Sequence, residues 1–226
     1  HRGFAPLGGG ATKNQEPETS DNWEFGGRYY GRGNLFVEAI GFYSDFSDKT
    51  ENCSVGSPCS NGATSGTFKT GEAEVQGLEF QLGTSFAQGD FEIPVNATYT
   101  YTEGEISRDN ATSGLNEGDQ LRDIPENQFS LRTGLEHVSG WDNYAIVKFT
   151  DEMCVSTGCN KSGTELDETE SLAVVDFVSR YPLRKETNAF LRIENVFDEQ
   201  RSVSRLPEGA RPNKPMTVSV GLTHEF

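Results

Sequence analysis

The sequence predicts an all-β fold: about nine antiparallel strands forming a segment of a transmembrane β-barrel. Three observations carry this expectation. Apolar and polar residues alternate with a period of two through most of the chain. Short links rich in turn formers alternate with long polar ones. The segment Met216–Phe226 reads as one amphipathic strand ending on an aromatic residue. No capped 3.6-residue apolar stripe competes with these strands.

In chain order, a weak alternation runs through Trp23–Tyr29, and Leu35–Phe46 is apolar on both faces. Leu78, Phe80, Leu82 and Phe86 face away from Glu79, Gln81 and Ser85. Phe91, Ile93, Val95, Ala97, Tyr99 and Tyr101 interleave with Glu92, Pro94, Asn96, Thr98, Thr100 and Thr102. Phe129, Leu131 and Leu135 oppose Gln128, Arg132 and Glu136. Weaker alternations cover Ala145–Phe149 and Ala173–Tyr181, and Ala189, Leu191 and Ile193 oppose Arg192 and Glu194. The last strand places Met216, Val218, Val220, Leu222, His224 and Phe226 on one face, and Thr217, Ser219, Gly221, Thr223 and Glu225 on the other.

The connections divide into two classes. Short links fall near Tyr30–Asn34, Ala87–Asp90, His137–Asp142 and Pro182–Thr187. Long polar links cover His1–Asp21, Ser47–Gly71, Glu103–Asp123, Asp151–Thr169 and Asp198–Lys214. Compact soluble domains seldom keep structureless loops of that length. Outer-membrane barrels have this asymmetry, with short periplasmic turns and long extracellular loops. The last strand then runs inward and all the long loops lie outside the cell. A soluble β-sandwich is the alternative, with the apolar faces packed on each other. Nine is an odd number, whereas single-chain bacterial barrels have even counts, so further strands are expected before His1.

Composition narrows the function classes. Nineteen Lys and Arg against thirty-five Asp and Glu leave a net charge of −16, with a pI of about 4.6. Nothing in that balance neutralises a run of phosphates, so nucleic acid is excluded as a partner. Mean hydropathy is −0.59 and no apolar stretch is long enough for a helical span. Aromatics at 11% set the chain apart from an acidic disordered one.

Two cysteine pairs, Cys53 with Cys59 and Cys154 with Cys159, each lie within one long link. Local disulfides in an oxidising compartment are the expected reading; a four-cysteine zinc site would require the two loops to meet. Acidic residues crowd Asp109–Asp119 and Glu165–Glu170, but the ordered calcium-loop pattern is absent. A solvated loop surface accounts for them. His1, His137 and His224 have no metal-ligand spacing, and no nucleophile elbow, phosphate loop or carboxylate pair stands out. We therefore expect no catalytic residue, cofactor or resident metal.

Several segments resemble TonB-dependent outer-membrane receptors. They are His1–Pro6, Glu16–Ser20, Glu24–Tyr29, Gly41–Ser47, Gly71–Glu79, Ile124–Phe129 and, most specifically, Glu194-Asn195-Val196-Phe197-Asp198 followed by Pro207–Pro212 and Phe226. The early segments are most similar to ferric-citrate-type receptors. The resemblance implies that residues 1–226 supply the last nine strands of a 22-stranded barrel, the plug domain and the earlier strands lying outside this sequence. It also implies import of a ferric chelate, ferric citrate or another siderophore, driven by the TonB–ExbB–ExbD complex through the plug and its coupling box. Outer-membrane lipid and lipopolysaccharide would surround the barrel.

For an anionic chelate, arginines on or beside the long links are the expected contacts, because the guanidinium fork matches carboxylates. The candidates are Arg2, Arg122, Arg205 and Arg211, with Asn213 as a hydrogen-bonding neighbour. Pairing with carboxylates of the lumen or with lipopolysaccharide phosphates is the competing role for each. A surface module that binds glycans or other cells is the second function class, with Trp23, Trp141 and the tyrosines stacking on sugars. Membrane-interface belts explain the same aromatics.

Overall fold

A computed structural model describes residues 2–3, 18–56, 59, 62–109, 114–161, 166–206 and 209–225. Phe226, most of His1–Pro6, Glu16-Pro17 and Pro207-Glu208, named above, lie outside them. The strands are β1 (Arg2–Gly3), β2 (Glu18–Tyr30), β3 (Phe36–Cys53), β4 (Gly66–Gln88), β5 (Phe91–Ile106), β6 (Asn127–His137), β7 (Asp142–Thr150), β8 (Leu172–Arg184), β9 (Thr187–Glu194), β10 (Ser202–Ser204), β11 (Arg211–Pro212) and β12 (Thr217–His224). Among the described residues the one helical element is a 3₁₀ turn at Cys159–Lys161.

Ten strands form one antiparallel sheet in the order β1-β2-β3-β4-β5-β6-β7-β8-β9-β12, and β10 pairs with β11 in a separate ribbon. Each strand lies beside its chain neighbour, which is an up-and-down meander. The nine expected strands are all present, together with the two-residue β1. Several are longer than the alternation indicated. β3 continues to Cys53 and β4 begins at Gly66, so most of the Ser47–Gly71 link is a projecting hairpin. β5 runs to Ile106 and β2 starts at Glu18, which shortens two further links. Polar β-strand outside an apolar band carries no period-two apolar signal, and that is why these extensions were illegible.

Register sorts the side chains onto two faces. Cross-strand rows on one face read Phe25–Gly41–Leu78–Tyr101, Ala39–Phe80–Tyr99–Phe129–Phe149–Ala173, and Val37–Leu82–Ala97–Leu131–Val147–Val175. Ile193, Leu191 and Ala189 meet Val218, Val220 and Leu222 farther along. Nothing in the described chain covers this face: Phe25 is 88% exposed, Val220 75% and Trp23 72%. In water each such side chain would forgo about 1.5–3 kcal/mol of burial. No second sheet packs on it among the described residues, as a sandwich would require. From Phe91 to Tyr101, a strand rising about 3.3 Å per residue and tilted about 40° climbs about 25 Å. That is the height of the apolar band of a membrane barrel.

The opposite face is polar, with bulky groups laid flat over glycines. Ile40 sits opposite Gly26, Phe42 opposite Gly77, Tyr144 opposite Gly134 and Phe190 opposite Gly221. A Cβ on Gly221 would come within 2.6 Å of two Phe190 ring atoms, and one on Gly77 within 2.6 Å of the Phe42 ring. Covering a cross-strand glycine shields its backbone and allows the sheet to bend. This explains why Leu35–Phe46 is apolar on both faces: Ile40 and Phe42 occupy glycine notches on the polar side.

Short turns gather at one end and long links at the other. The Gly89-Asp90 loop between Gln88 and Phe91 has Gly89 at φ +61°, the conformation a two-residue hairpin needs at its first position. Gly221→Ala is expected to cost about 1–3 kcal/mol by overpacking against Phe190. Adding Phe190→Ala recovers part of that loss; equilibrium unfolding from lipid vesicles measures both.

Candidate functional site

Two features carry functional groups: the polar face of the sheet and the long links above it. On the polar face, charges occur mostly as cross-strand pairs. Arg28 contacts Glu38, Lys148 Nζ lies 2.9 Å from Asp176 and Arg180 2.6 Å from Asp142. Tyr144 donates to Glu136, and Arg132 lies 3.8 Å from the centre of the Tyr144 ring. At the long-link end, Glu194 accepts from Lys214 at 2.6 Å, with Arg192 3.4 Å away. The result is a wetted wall of matched charges. Isolated exposed pairs of this kind contribute little stability; their effect here is to hold long side chains close to the wall.

Above the apolar band the faces exchange character. Tyr101 is the last apolar residue of β5's membrane face, and Glu103 and Glu105 follow it there. Ile106, on the other face, joins Ala73, Leu115 and Leu121 in a buried cluster flanked by Phe46, Val75 and Ile124. The 107–126 link folds over the polar side to make that cluster. Ile106 N donates to Asp119 O, Gly118 N to Ile106 O and Leu121 N to Gly104 O. Sequence alternation missed this inversion, although the parity switch between Tyr101 and Ile106 was its signal.

The next links dock in series. Asp123 N donates to Cys154 O and Gly158 N to Gln120 O, while Gln120 N donates to Asn160 Oδ1 at 3.2 Å. Beyond them, Glu170 N donates to Ser202 O, Ser202 N to Glu170 Oε2 at 2.7 Å, and Arg205 to Glu168 O. Links 107–126, 151–171 and 195–216 therefore form one interlocked rim. The structure joins Cys53 to Cys59 and Cys154 to Cys159. The first closes the tip of the β3–β4 hairpin. The second is not at a tip: Cys154 is 1% exposed, and Gln120 and Glu168 approach the two sulfurs to 3.5 and 3.6 Å. Paired within themselves, the cysteines do not assemble a four-thiolate metal site.

The Glu194–Asp198 segment starts this rim and positions the last strand. Asn195, 4% exposed and at φ +53°, donates from its backbone to Asp176 Oδ1 at 2.9 Å. Its side chain donates to Glu199 O and Lys214 O and accepts from Glu199 N. Asp198 accepts from Met216 N at 2.8 Å. The two residues tie both ends of the 195–216 link together, so that β12 enters in register beside β9.

The candidate ligand contacts have unequal surroundings. Arg2 lies in β1, but its side chain is outside the described residues. Arg122 is 3.7 Å from Asp123, and Arg205 is spent on Glu168 O. Asn213 accepts from Arg201 N at 2.8 Å and donates to Glu199 O at 2.8 Å. Arg211 is exposed on β11 and, among the described residues, has no carboxylate within ion-pair distance. The β10–β11 ribbon places Arg211 opposite Ser204, next in chain to Arg205, with Asn213 two residues on, while Arg122 belongs to the separate 107–126 link. Asp109 and Asp119 accept from Glu117 N and Asn116 N, each at 2.7 Å, which are turn-forming roles.

Glu105 is a titratable group at the base of the rim. Burial raises its carboxyl above the ordinary value, with Glu103, Glu74 and Glu117 adding in the same direction. Because the folded value exceeds the unfolded one, stability falls as pH rises through that interval and is regained on acidification. Protection of the Ile106 and Leu121 amides from hydrogen exchange, corrected for intrinsic rate, is thus expected to increase below neutral pH. Glu105→Gln should be more protected at neutral pH and flatten the dependence; an unchanged slope would contradict the assignment.

Comparison with known proteins fits this geometry. The Metal-pseudopaline receptor CntO of Pseudomonas aeruginosa is 25% identical over 163 residues, covering 69% of this chain and 21% of its own. Among solved structures, the ferric yersiniabactin uptake receptor FyuA of Yersinia pestis superposes with a TM-score of 0.73 at 18% identity, over 100% of this chain and 33% of its own. The ferric-catecholate import receptor Fiu of E. coli K12, in its closed form, gives 0.69 at 19% identity, over 93% and 28%. The chain thus spans about a fifth of the length of the curated relative. The family described as "TonB dependent receptor-like, beta-barrel" matches residues 2–196. An uncovered apolar band, a charged wall behind it and this match agree: the chain belongs to the TonB-dependent receptors, whose members are outer-membrane β-barrels and transport receptors.

Proposed function

We propose that residues 1–226 form the C-terminal part of the barrel wall of an outer-membrane importer for a metal chelate, energised by the TonB–ExbB–ExbD complex through a plug domain outside this sequence. The observation that carries the reading is the uncovered apolar face backed by a charged wall, in a chain of the TonB-dependent receptor family. In this reading the short turns are periplasmic and the interlocked rim is extracellular, with the disulfides in an oxidising compartment. The remaining strands of a 22-stranded barrel close the two open edges of the sheet.

The mechanism is capture and release without covalent chemistry. The rim, held by backbone pairing and by Cys154–Cys159, presents a fixed outer surface beside the bore. The charged wall stays hydrated and keeps its long side chains against the strands. A ferric chelate such as ferric citrate or another siderophore is one substrate class; the similarity to a metal-pseudopaline receptor widens the class to metal chelates in general. Arg211 is the arginine best placed to receive an anionic group, whereas Arg122 and Arg205 already have partners.

Deleting the gene for the full receptor and measuring uptake of individual metal chelates tests this directly. Uptake of one chelate is expected to fall at least about tenfold, and a protonophore should reproduce the loss in the parent strain. Added protease should reach the Cys53–Cys59 hairpin on whole cells but spare the Gly89-Asp90 turn. Unchanged uptake of every chelate, or the opposite cleavage pattern, would contradict the proposal.

A further inference from the structure

The Cys154–Cys159 pair sits inside the rim rather than on its surface: Cys154 is 1% exposed and Cys159 4%. Two oxygens are turned toward its sulfurs. Gln120 Oε1 lies 3.5 Å from Cys154 Sγ, and Glu168 Oε1 lies 3.6 Å from Cys159 Sγ. A disulfide sulfur has no proton to donate, so in the oxidised pair each contact sets an acceptor oxygen against a sulfur. One of those oxygens belongs to a carboxylate. The same four atoms suit two other occupants: a pair of thiol protons, or a cation held among them.

The donors have the spacing of a metal site. Both sulfurs and a Glu168 oxygen lie within 4.8 Å of one another. Donors of a tetrahedral zinc, bound at about 2.0–2.3 Å, stand about 3.3–3.8 Å apart, which is the reach of Gln120 and Glu168 to the sulfurs. The cysteines are five positions apart, a C-x₄-C spacing that zinc sites use. Their Cα atoms stand 5.5 Å apart, so side-chain rotation can part the sulfurs once the bond between them is cut. The surrounding frame does not depend on that bond. Cys154 and Glu168 face each other in an antiparallel bridge, flanked by Val155 N to Asp167 O at 2.8 Å and Thr169 N to Met153 O at 3.0 Å. Gln120 is fixed from the other side by Gly158 N and Asn160 Oδ1. Ligands mounted on paired backbone are preorganised. Among the described residues, no carboxylate joins Cys53 and Cys59 in this way.

We propose that the dithiol form of Cys154 and Cys159, with Glu168 and Gln120, binds a thiophilic divalent cation of the zinc class. Metal and disulfide are then alternative closures of one clasp. The chain is synthesised with thiols, so the dithiol form precedes the disulfide, and a small-molecule thiol regenerates it. Two such thiols are oxidised to their own disulfide, and their two electrons and two protons turn the S–S bond into two S–H groups. The cation displaces both protons and binds the two thiolates, whose charge it balances. Glu168 supplies the third ligand and Gln120 Oε1 the fourth. With metal bound, the 151–171 link stays shut; with neither metal nor disulfide, backbone bonds alone hold it. The site is separate from any chelate that the receptor carries.

Cadmium, whose thiolate complexes absorb in the ultraviolet, supplies the readout. The full-length receptor carrying Cys53→Ser/Cys59→Ser is reduced with a phosphine, freed of reductant without oxygen and titrated with cadmium. One cadmium per chain is expected to bind with thiolate charge-transfer absorption and to be displaced by zinc, while the oxidised protein gives no such band. Glu168→Gln should weaken binding at least about tenfold. The other pair, isolated in Cys154→Ser/Cys159→Ser, should bind at least about tenfold more weakly, because two thiols alone bind cadmium without help from a carboxylate. Hydrogen exchange gives a second measure: reduction should lower protection of the Val155 and Gly158 amides, and zinc should restore it. Equal affinity of the two cysteine pairs would overturn the proposal. So would undiminished binding in Glu168→Gln, or a reduced protein whose Val155 and Gly158 amides gain no protection from zinc.

Discussion

The whole arrangement depends on hydrocarbon covering one face of a sheet whose backbone bonds are satisfied within the sheet itself. An apolar medium offers no partner to a free N–H or C=O, so the strands must pair throughout the band. The same medium removes the need for a second protein layer. The apolar face therefore has to be continuous, and the polar residues, charges and glycine notches are left to the other face. Where water returns, at Glu103 and Glu105, the requirement reverses, and the buried cluster around Ile106 and Ala73 moves to the opposite side.

Much of this was legible because the constraint writes itself as a period-two pattern. The β5, β6 and β9 alternations named the lipid face residue by residue, since each outward position must be apolar whatever its neighbours. The division into short and long links was legible for a related reason: a tight turn needs glycine, asparagine or proline, and a long link does not. What the pattern could not reveal was every feature decided between elements. Ile40 and Phe42 broke the alternation of β3 because their partners, Gly26 and Gly77, lie on other strands. The extensions of β3, β4 and β5 were hidden because strands in water need no apolar side.

The candidate ligand contacts show the same limit. Arginine on a long polar link is a fair expectation for anion capture, but the structure gives Arg205 to a carbonyl and Arg122 to a neighbouring aspartate. Asn213 takes part in the stitching of the 195–216 link. That stitching, centred on Asn195 and Asp198, gives the Glu194–Asp198 segment a physical basis: it sets the register of β12 on β9. The rim built on it couples three links that sequence alone presents as independent.

The central claim is that the odd-numbered side chains of β5 meet lipid while the even-numbered ones do not. Spin labels placed one at a time from Val95 to Thr100 in the membrane-inserted receptor test it most directly. Collisions with oxygen, which partitions into hydrocarbon, should peak at Val95, Ala97 and Tyr99 and dip at Asn96, Thr98 and Thr100. Odd positions shielded from oxygen and from a water-soluble nickel chelate alike would place them in a dry protein interior and contradict the account.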